Sequence, residues 1–241
     1  MLSDGAAIPD ESVGFCLQRK GKKMNIAYNM DCMEAMRKMP DKCFDLAVVD
    51  PPYGIGESGA KNHTRGKLAA AKDYKPFAGD DLKAPDKEYF EQLMRVSKNQ
   101  IIWGANHFIS KIPFDSHCWI VWDKENGEND FADCELAWTS FDTAVRKFKY
   151  RWAGMMQENM KNKEFRIHPT QKPVALYAWI YSRYAKHGYK ILDTHLGSGS
   201  SRIAAYDAGL DFVGYEIDKE YFDKQEERYN AHASQMNLFL D

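Results

Sequence analysis

Phe44-Asp45-Leu46-Ala47-Val48-Val49-Asp50-Pro51-Pro52-Tyr53 reads as a buried strand that ends on a rigid turn. A near-continuous apolar run with two valines suits the interior of a parallel sheet, covered on both faces. Such a strand delivers its trailing residues to the carboxyl edge of an open α/β sheet, where ligands bind. Here those residues are an acid, two prolines and an aromatic ring. Pro51 and Pro52 fix φ and carry no N–H, so the turn is stiff and its carbonyls are left to accept hydrogen bonds. A carboxylate, a rigid carbonyl and a flat ring together suit a planar amino group, such as the exocyclic NH2 of a nucleobase. The bland alternative is a strand-ending turn with an exposed Asp and a packed Tyr.

Outward from this strand, strand-like runs alternate with amphipathic helical stretches, which predicts an α/β fold with a mostly parallel sheet and helices on both faces. Strands are expected over 24–28, 100–104, 118–122, 136–141, 189–193 and 212–216. Helices are expected over 32–38, from Asp86 through Lys98, over 173–186 and 200–207, and from Lys219 to about Ala233. Pro173 at a first turn and Gly209 just past a helix fit those boundaries. Residues 1–23 read as a polar N-terminal arm and 24–241 as one domain. Residues 54–85 are rich in Gly, Lys and Ala and long for a structureless connection, so a functional loop is expected there. Residues 150–167 show no clear period. Trp103, Trp119, Trp122 and Trp138 fall on expected strands and read as core.

A chain of 241 residues suffices for one such domain with a sizeable core. No apolar run reaches the ~18 residues of a membrane span, and residues 1–23 lack a signal peptide's apolar stretch. Five cysteines without C-x-x-C spacing argue for a reducing, cytoplasmic setting and against a disulfide framework or zinc site. The histidines are scattered, and no metal is expected. A net charge of -2 hides an uneven distribution. Basic residues gather in 54–76 and 144–166, and acids towards the C-terminus, so one face can meet a polyanion.

A second motif succeeds the expected strand over 189–193. Asp193-Thr194-His195-Leu196-Gly197-Ser198-Gly199-Ser200-Ser201 places glycines at a strand-to-helix turn, where backbone can approach a ligand and a helix N-terminus favours anionic groups. Glu216, ending the next strand, suits a carboxylate accepting from ribose hydroxyls. A nicotinamide dinucleotide would call for G-x-G-x-x-G, but Arg202 stands where the third glycine belongs. Asp193, before the glycines, is badly placed for a pyrophosphate and well placed for a cationic amino-acid tail. S-adenosylmethionine is the better match.

These residues together resemble the beta group of amino DNA methyltransferases, which methylate N6 of adenine or N4 of cytosine. Asp50-Pro51-Pro52-Tyr53 resembles their catalytic motif, and the loop from Asp193 resembles D-P-F-x-G-x-G, with Thr194 and Leu196 read as departures from the Pro and Phe. His168-Pro169-Thr170-Gln171-Lys172-Pro173 matches their H-P-T-Q-K-P segment, Tyr215-Glu216 their ribose acid, and Asn29-Met30-Asp31-Cys32 their adenine-contacting strand end. The catalytic motif precedes the cofactor loop, the group's circularly permuted order. The resemblance implies a Rossmann-like fold, and implies cofactor contacts from Asp31, Cys32, Asp50, His168, Thr170, Lys172, Asp193, Leu196, Gly197, Ser198, Gly199, Ser200, Glu216 and Ile217. It also implies methylation of the restriction–modification kind.

The expected chemistry is direct methyl transfer to a base flipped out of DNA, most readily double-stranded. Asp50 and the Pro51 carbonyl would accept the two amino hydrogens, Pro52 would fix the turn and Tyr53 would stack on the base; no cysteine is required. Within 54–85, Lys61, Arg65 and Lys67 are expected to meet DNA. A short target-recognition segment over 144–167 would add Arg146, Lys149, Arg151, Lys161 and Lys163. Asp at the first motif position favours adenine; N4-cytosine is the alternative, and a non-catalytic DNA-binding subunit that keeps the fold is another. An RNA or protein-amide methyltransferase fits the motif order less well. The group also admits homodimers.

Overall fold

The computed structural model describes residues 24–55, 83–127, 132–153 and 156–237. Its centre is β2 (Phe44–Val49). Leu46 and Val48 face one apolar cluster and Ala47 and Val49 the other, so both faces of the strand are covered. The run is therefore apolar throughout rather than alternating. Asp45 alone breaks the pattern, and it is used: its carboxylate takes Lys98 Nζ at 2.7 Å and the Lys190 N–H at 3.0 Å, tying both neighbouring strands to β2.

Around β2 the chain forms β1 (Asn25–Asn29), α1 (Cys32–Met36), α2 (Lys87–Val96), β3 (Ser97–Trp103), β4 (Trp119–Asp123), β5 (Cys134–Thr139) and β6 (Arg146–Lys149). It continues through β7 (Trp152–Ala153), β8 (Met156–Gln157), α3 (Val174–Tyr184), β9 (Lys190–Asp193), α4 (Ser200–Asp207), β10 (Asp211–Glu216) and α5 (Lys219–Asn237). The main sheet runs β1-β10-β9-β2-β3-β5-β4-β6, with β7 and β8 as a separate ribbon. From β1 to β3 all pairings are parallel. Among the described strands of this sheet only β5 runs against the rest, being antiparallel to both β3 and β4, and β6 is parallel to β4. Cys32, Met36, Phe90 and Leu93 from α1 and α2 pack on one face, and Leu176, Ile180 and Ala204 from α3 and α4 on the other.

Local chemistry explains the boundaries. Asp86 caps α2 through the Tyr89 N–H at 3.1 Å, an interaction worth about 1 kcal/mol. The helix stops at Val96, not Lys98, because Ser97 is already extended (φ -122°, ψ 148°) and its hydroxyl donates to the Leu93 carbonyl; β3 begins there rather than at Gln100. Residues 150–167, without a readable period, hold the β7–β8 ribbon, and β6 lies in a stretch whose basic composition concealed an edge strand. Trp103, Trp122 and Trp138 are fully buried, as expected. Cys43 is disulfide-bonded, a bond that the scattered cysteines gave no reason to expect, whereas Cys32, Cys118 and Cys134 are free. Among the described residues no helix is long and apolar enough to cross a membrane.

Candidate active site

Strand direction puts four acids on one edge. Asp31 comes after β1, Asp50 comes after β2, Asp193 closes β9 and Glu216 closes β10, all at the carboxyl ends of parallel strands. The chain steps from β2 to β3 in one direction and from β9 to β10 in the other. Asp50 and Asp193 therefore end adjacent strands on either side of the switch point, the usual place for a ligand crevice.

At the β2 corner the Asp50 carboxylate is engaged on both oxygens. Tyr53 donates its hydroxyl to Oδ1 at 2.7 Å, and Lys172 Nζ lies 2.5 Å from Oδ2. Lys172 also donates to the Tyr53 hydroxyl at 3.0 Å and sits 3.0 Å from Glu135 Oε2. Glu135 is two residues before Ala137, which pairs with Trp103, so antiparallel β5 carries it back past the end of β3 to this corner. Lys124 pairs with its other oxygen. Burial raises the Asp50 pKa and the Lys172 charge opposes that shift only in part. Burial works the same way on Glu135, but Lys172 and Lys124 outweigh it and hold the group down to about 2. Burial disfavours the Lys172 ammonium too, and Asp50 and Glu135 overcome it, so its pKa rises. Among the described residues nothing donates to the Pro51 carbonyl, which is free to accept.

The ring of Tyr53 is held as firmly as its hydroxyl. It stacks on His107 with centroids 5.0 Å apart and 15° between planes. Gly104 (φ +66°) leaves room for it: a Cβ there would lie 2.1 Å from Tyr53 Cε1. His107 thus covers one face of the ring. His107 and Glu135 were invisible to sequence reading, since nothing at their positions forms a motif; the signal lies only in pairing register and loop packing.

At the β9 corner the carboxylates meet neutral donors. Asp193 accepts from the Ser201 hydroxyl and from the His195 N–H at 3.1 Å. Glu216 accepts from the Gly197 N–H at 2.8 Å and the Asp218 N–H at 2.9 Å. Burial is the main cause that raises Asp193 to about 7, and burial also raises Glu216. Gly197 and Gly199 are left-handed (φ +52° and +73°), and Gly199 caps α4. A Cβ on Gly197 would meet nothing nearer than 3.9 Å, so space opens in front of the loop. Ser198 and Ser200 bond each other, and Arg228 of α5 reaches the Ser198 carbonyl at 2.8 Å and Ser200 Oγ at 2.9 Å. Its other nitrogen holds Glu164, which also accepts the Val174 N–H at 3.0 Å. Glu164 is thus a tie between segments, not surface charge.

The other expected cofactor residues gather nearby, with differences in detail. Asp31 caps α1 through the Met33 N–H at 2.8 Å, and Cys32 is buried with its thiol pKa pushed up, chiefly by burial. His168 is held near pKa 4 by burial and pairs with the Thr170 hydroxyl at 3.0 Å. Lys172 spends its ammonium on Asp50, Tyr53 and Glu135 rather than facing the loop. Ile217 is exposed beyond Glu216. Leu196 turns into the core over Gly214. Counting along D-P-F-x-G-x-G corrects its reading: His195, not Leu196, holds the aromatic place. His195 Nδ1 lies 2.9 Å from Thr194 Oγ1, which lies 2.6 Å from the Tyr89 hydroxyl. Burial holds His195 near pKa 4 as well.

The basic residues are dispersed. Lys61, Arg65 and Lys67 lie outside the described residues. Arg146 and Lys149 occupy opposite ends of the edge strand β6, four strand positions, or ~19 Å, from β2. Strand direction puts Lys149 and Arg151 at the ligand edge and Arg146 at the far edge. Lys149 pairs with Glu125 at 2.7 Å; Arg151, Lys161 and Lys163 are exposed. No group of three or more metal-ligating side chains occurs among the described residues.

A Gly-rich loop facing an acidic turn across the switch point defines an α/β protein with a nucleotide-type site. Residues 44–227 match the family model for N6/N4 methyltransferases, described as DNA methylase, and the chain belongs to that family. The type II methyltransferase M2.DpnII of Streptococcus pneumoniae is 24% identical over 249 aligned residues, covering 87% of this chain and 91% of its own. The fold is that of the M1.HpyAVI–SAM complex (TM-score 0.56, 22% identity, 85% of this chain and 98% of the other). PvuII DNA methyltransferase, described as cytosine-N4-specific, shares it too (TM-score 0.55, 12% identity, 87% and 89%).

Proposed function

We propose that this protein transfers a methyl group from S-adenosylmethionine to N6 of an adenine flipped out of DNA. The observation that carries the reading is Asp50: a half-buried carboxylate at the end of β2, facing the Gly-rich loop of β9 across the switch point. When bound, the cofactor supplies an electrophilic methyl on a sulfonium. The loop suits it: two left-handed glycines, open space before Gly197, and Asp193 and Glu216 held by neutral donors that leave their charge for a cationic tail and ribose hydroxyls.

The chain's own residues would then act on the nucleophile. An exocyclic amino nitrogen is weak because its lone pair is delocalised into the ring. Asp50 and the Pro51 carbonyl accept its two N–H hydrogens, which biases the nitrogen towards tetrahedral geometry and stabilises the charge it gains. Positioning and preorganised electrostatics supply the acceleration, and one N–H proton is lost after transfer. The loop over 54–85, the ligand-edge residues Lys149 and Arg151 and the exposed Lys161 and Lys163 are the proposed phosphate contacts, in a role of the restriction–modification kind. The Asp at the first motif position supports adenine over cytosine.

The test is incubation with isotopically labelled S-adenosylmethionine and unmethylated duplex DNA, then nucleoside mass spectrometry. N6-methyladenine is expected. N4-methylcytosine would move the target to cytosine, and cofactor binding without transfer would make the chain a non-catalytic subunit.

A further inference from the structure

Lys172 is an unusual neighbour for a catalytic acceptor. Its side chain is 5% exposed, and its ammonium lies 2.5 Å from Oδ2 of Asp50, the carboxylate that would receive the target amino group. Methyl transfer places positive charge on that nitrogen. A second cation sharing the same carboxylate both weakens the acceptor and repels the developing charge. Something must draw the ammonium away. Glu135 Oε2 is 3.0 Å from Lys172 Nζ, yet this buried oxygen has no well-aligned hydrogen bond among the described residues. It is an ion-paired acceptor that lacks a well-aligned hydrogen bond. A buried polar atom left in that state is costly unless another arrangement uses it.

We infer that Glu135 is a positioning residue for methyl transfer: it takes the Lys172 ammonium from Asp50 when the target base enters, leaving Asp50 as an unshared acceptor. Without a base, Lys172 pairs with Asp50 and anchors the 168–173 turn to β2. With a base in place it shifts to Glu135 Oε2, and the charge of the pair is neutralised away from the reacting nitrogen. The inference rests on the amino-methyltransferase reading above.

The experiment is a double-mutant cycle on the full chain, with kcat and KM measured at saturating cofactor on duplex DNA, and with melting temperature and cofactor affinity as controls. Glu135→Gln, which removes the second carboxylate but keeps the shape, is expected to lower kcat roughly ten- to a hundredfold while KM for DNA changes little. Adding Lys172→Met removes the stranded cation and is expected to recover at least fivefold over Glu135→Gln alone. A wild-type kcat in Glu135→Gln overturns the inference, as does a double variant no faster than Glu135→Gln at matched melting temperature. If Glu135→Gln does not fold, the double variant is read against Lys172→Met, and equal or higher kcat is expected; a further tenfold loss overturns the role. Wild-type protein that methylates no amino base fails the functional reading itself and takes this inference with it.

Discussion

Asp193, buried, and Glu135, half-buried, are both carboxylates at the ligand edge, and desolvation pushes the pKa of each upward; they nevertheless end at opposite extremes, near 7 and near 2. The difference is the partner. Asp193 and Glu216 are held by a hydroxyl and backbone N–H groups, dipoles that orient a carboxylate without cancelling its charge. Glu135 and Asp50 are held by ammonium groups that do cancel it. A corner built from neutral donors keeps net negative charge in reserve for a cationic ligand. A corner built from ion pairs keeps its acceptor masked until something displaces the cation. On the proposed reading, one sheet edge carries a site for a charged cofactor beside one for a neutral amino group.

The largest effect should come from removing the acceptor in the ion-paired corner. Asp50→Ala is expected to lower methyl transfer about a thousandfold, while cofactor affinity by calorimetry changes less than threefold. Glu135 still neutralises Lys172 in that variant, so the fold survives. Comparable losses of cofactor affinity would mean that the two corners are one electrostatic unit, and the comparison would break. Gly104→Ala comes next. Its Cβ would fall 2.1 Å from a Tyr53 ring that cannot retreat, since His107 covers one face and Asp50 and Lys172 hold its hydroxyl. Together with strain at φ +66° this should cost about 1–3 kcal/mol of stability in a denaturant melt. Transfer should drop roughly a hundredfold with cofactor affinity retained. Full activity would show that Tyr53 need not sit as it does.

The same division separates what the chain discloses from what it hides. Strands β2, β9 and β10 and helix α4 were readable because each joins an unbroken apolar run or a Gly-rich turn to an acid, local signals that survive any context. The neutral-donor corner was therefore legible almost residue by residue, apart from the slip that gave Leu196 the place of His195. The ion-paired corner was legible only through Asp50-Pro51-Pro52-Tyr53. Lys172 was visible as part of a motif but not as a partner of Asp50, because 122 residues separate them. Glu135 reaches the site through the register of the one strand that runs against the others, and His107 through a short 3-10 turn after β3. Neither property is written in composition or period. Strand β6 was missed for a related reason: an edge strand with charged side chains loses the apolar pattern by which strands are recognised.

The smallest expected effect is also the one that most directly sharpens the comparison, because it concerns titration alone. An acid lifted from 3.8 to about 7 retains a proton in the folded state at pH values where the unfolded chain has lost it. The folded state then binds more protons, so this group's contribution to stability falls as pH rises through that window, by an amount of order a few kcal/mol. The melting temperature of the empty protein should decline from about pH 5 to about pH 7.5, and Asp193→Asn should flatten the decline. A cationic ligand tail reverses the preference, since it binds the ionised carboxylate. Between about pH 6 and pH 7.5 the ionised fraction of such a group rises roughly eightfold, and S-adenosylmethionine affinity should rise by a similar factor. His168 and His195, both held near 4, stay neutral throughout and cannot produce this rise. Glu216 and Asp50, also raised by burial, are the competing sources, so the decisive measurement is calorimetric affinity in two variants side by side, Asp193→Asn and the Glu216→Gln/Asp50→Asn double variant. Loss of the pH dependence in the first and its survival in the second assigns the reserve charge to Asp193. Survival in the first would place that charge elsewhere in the loop.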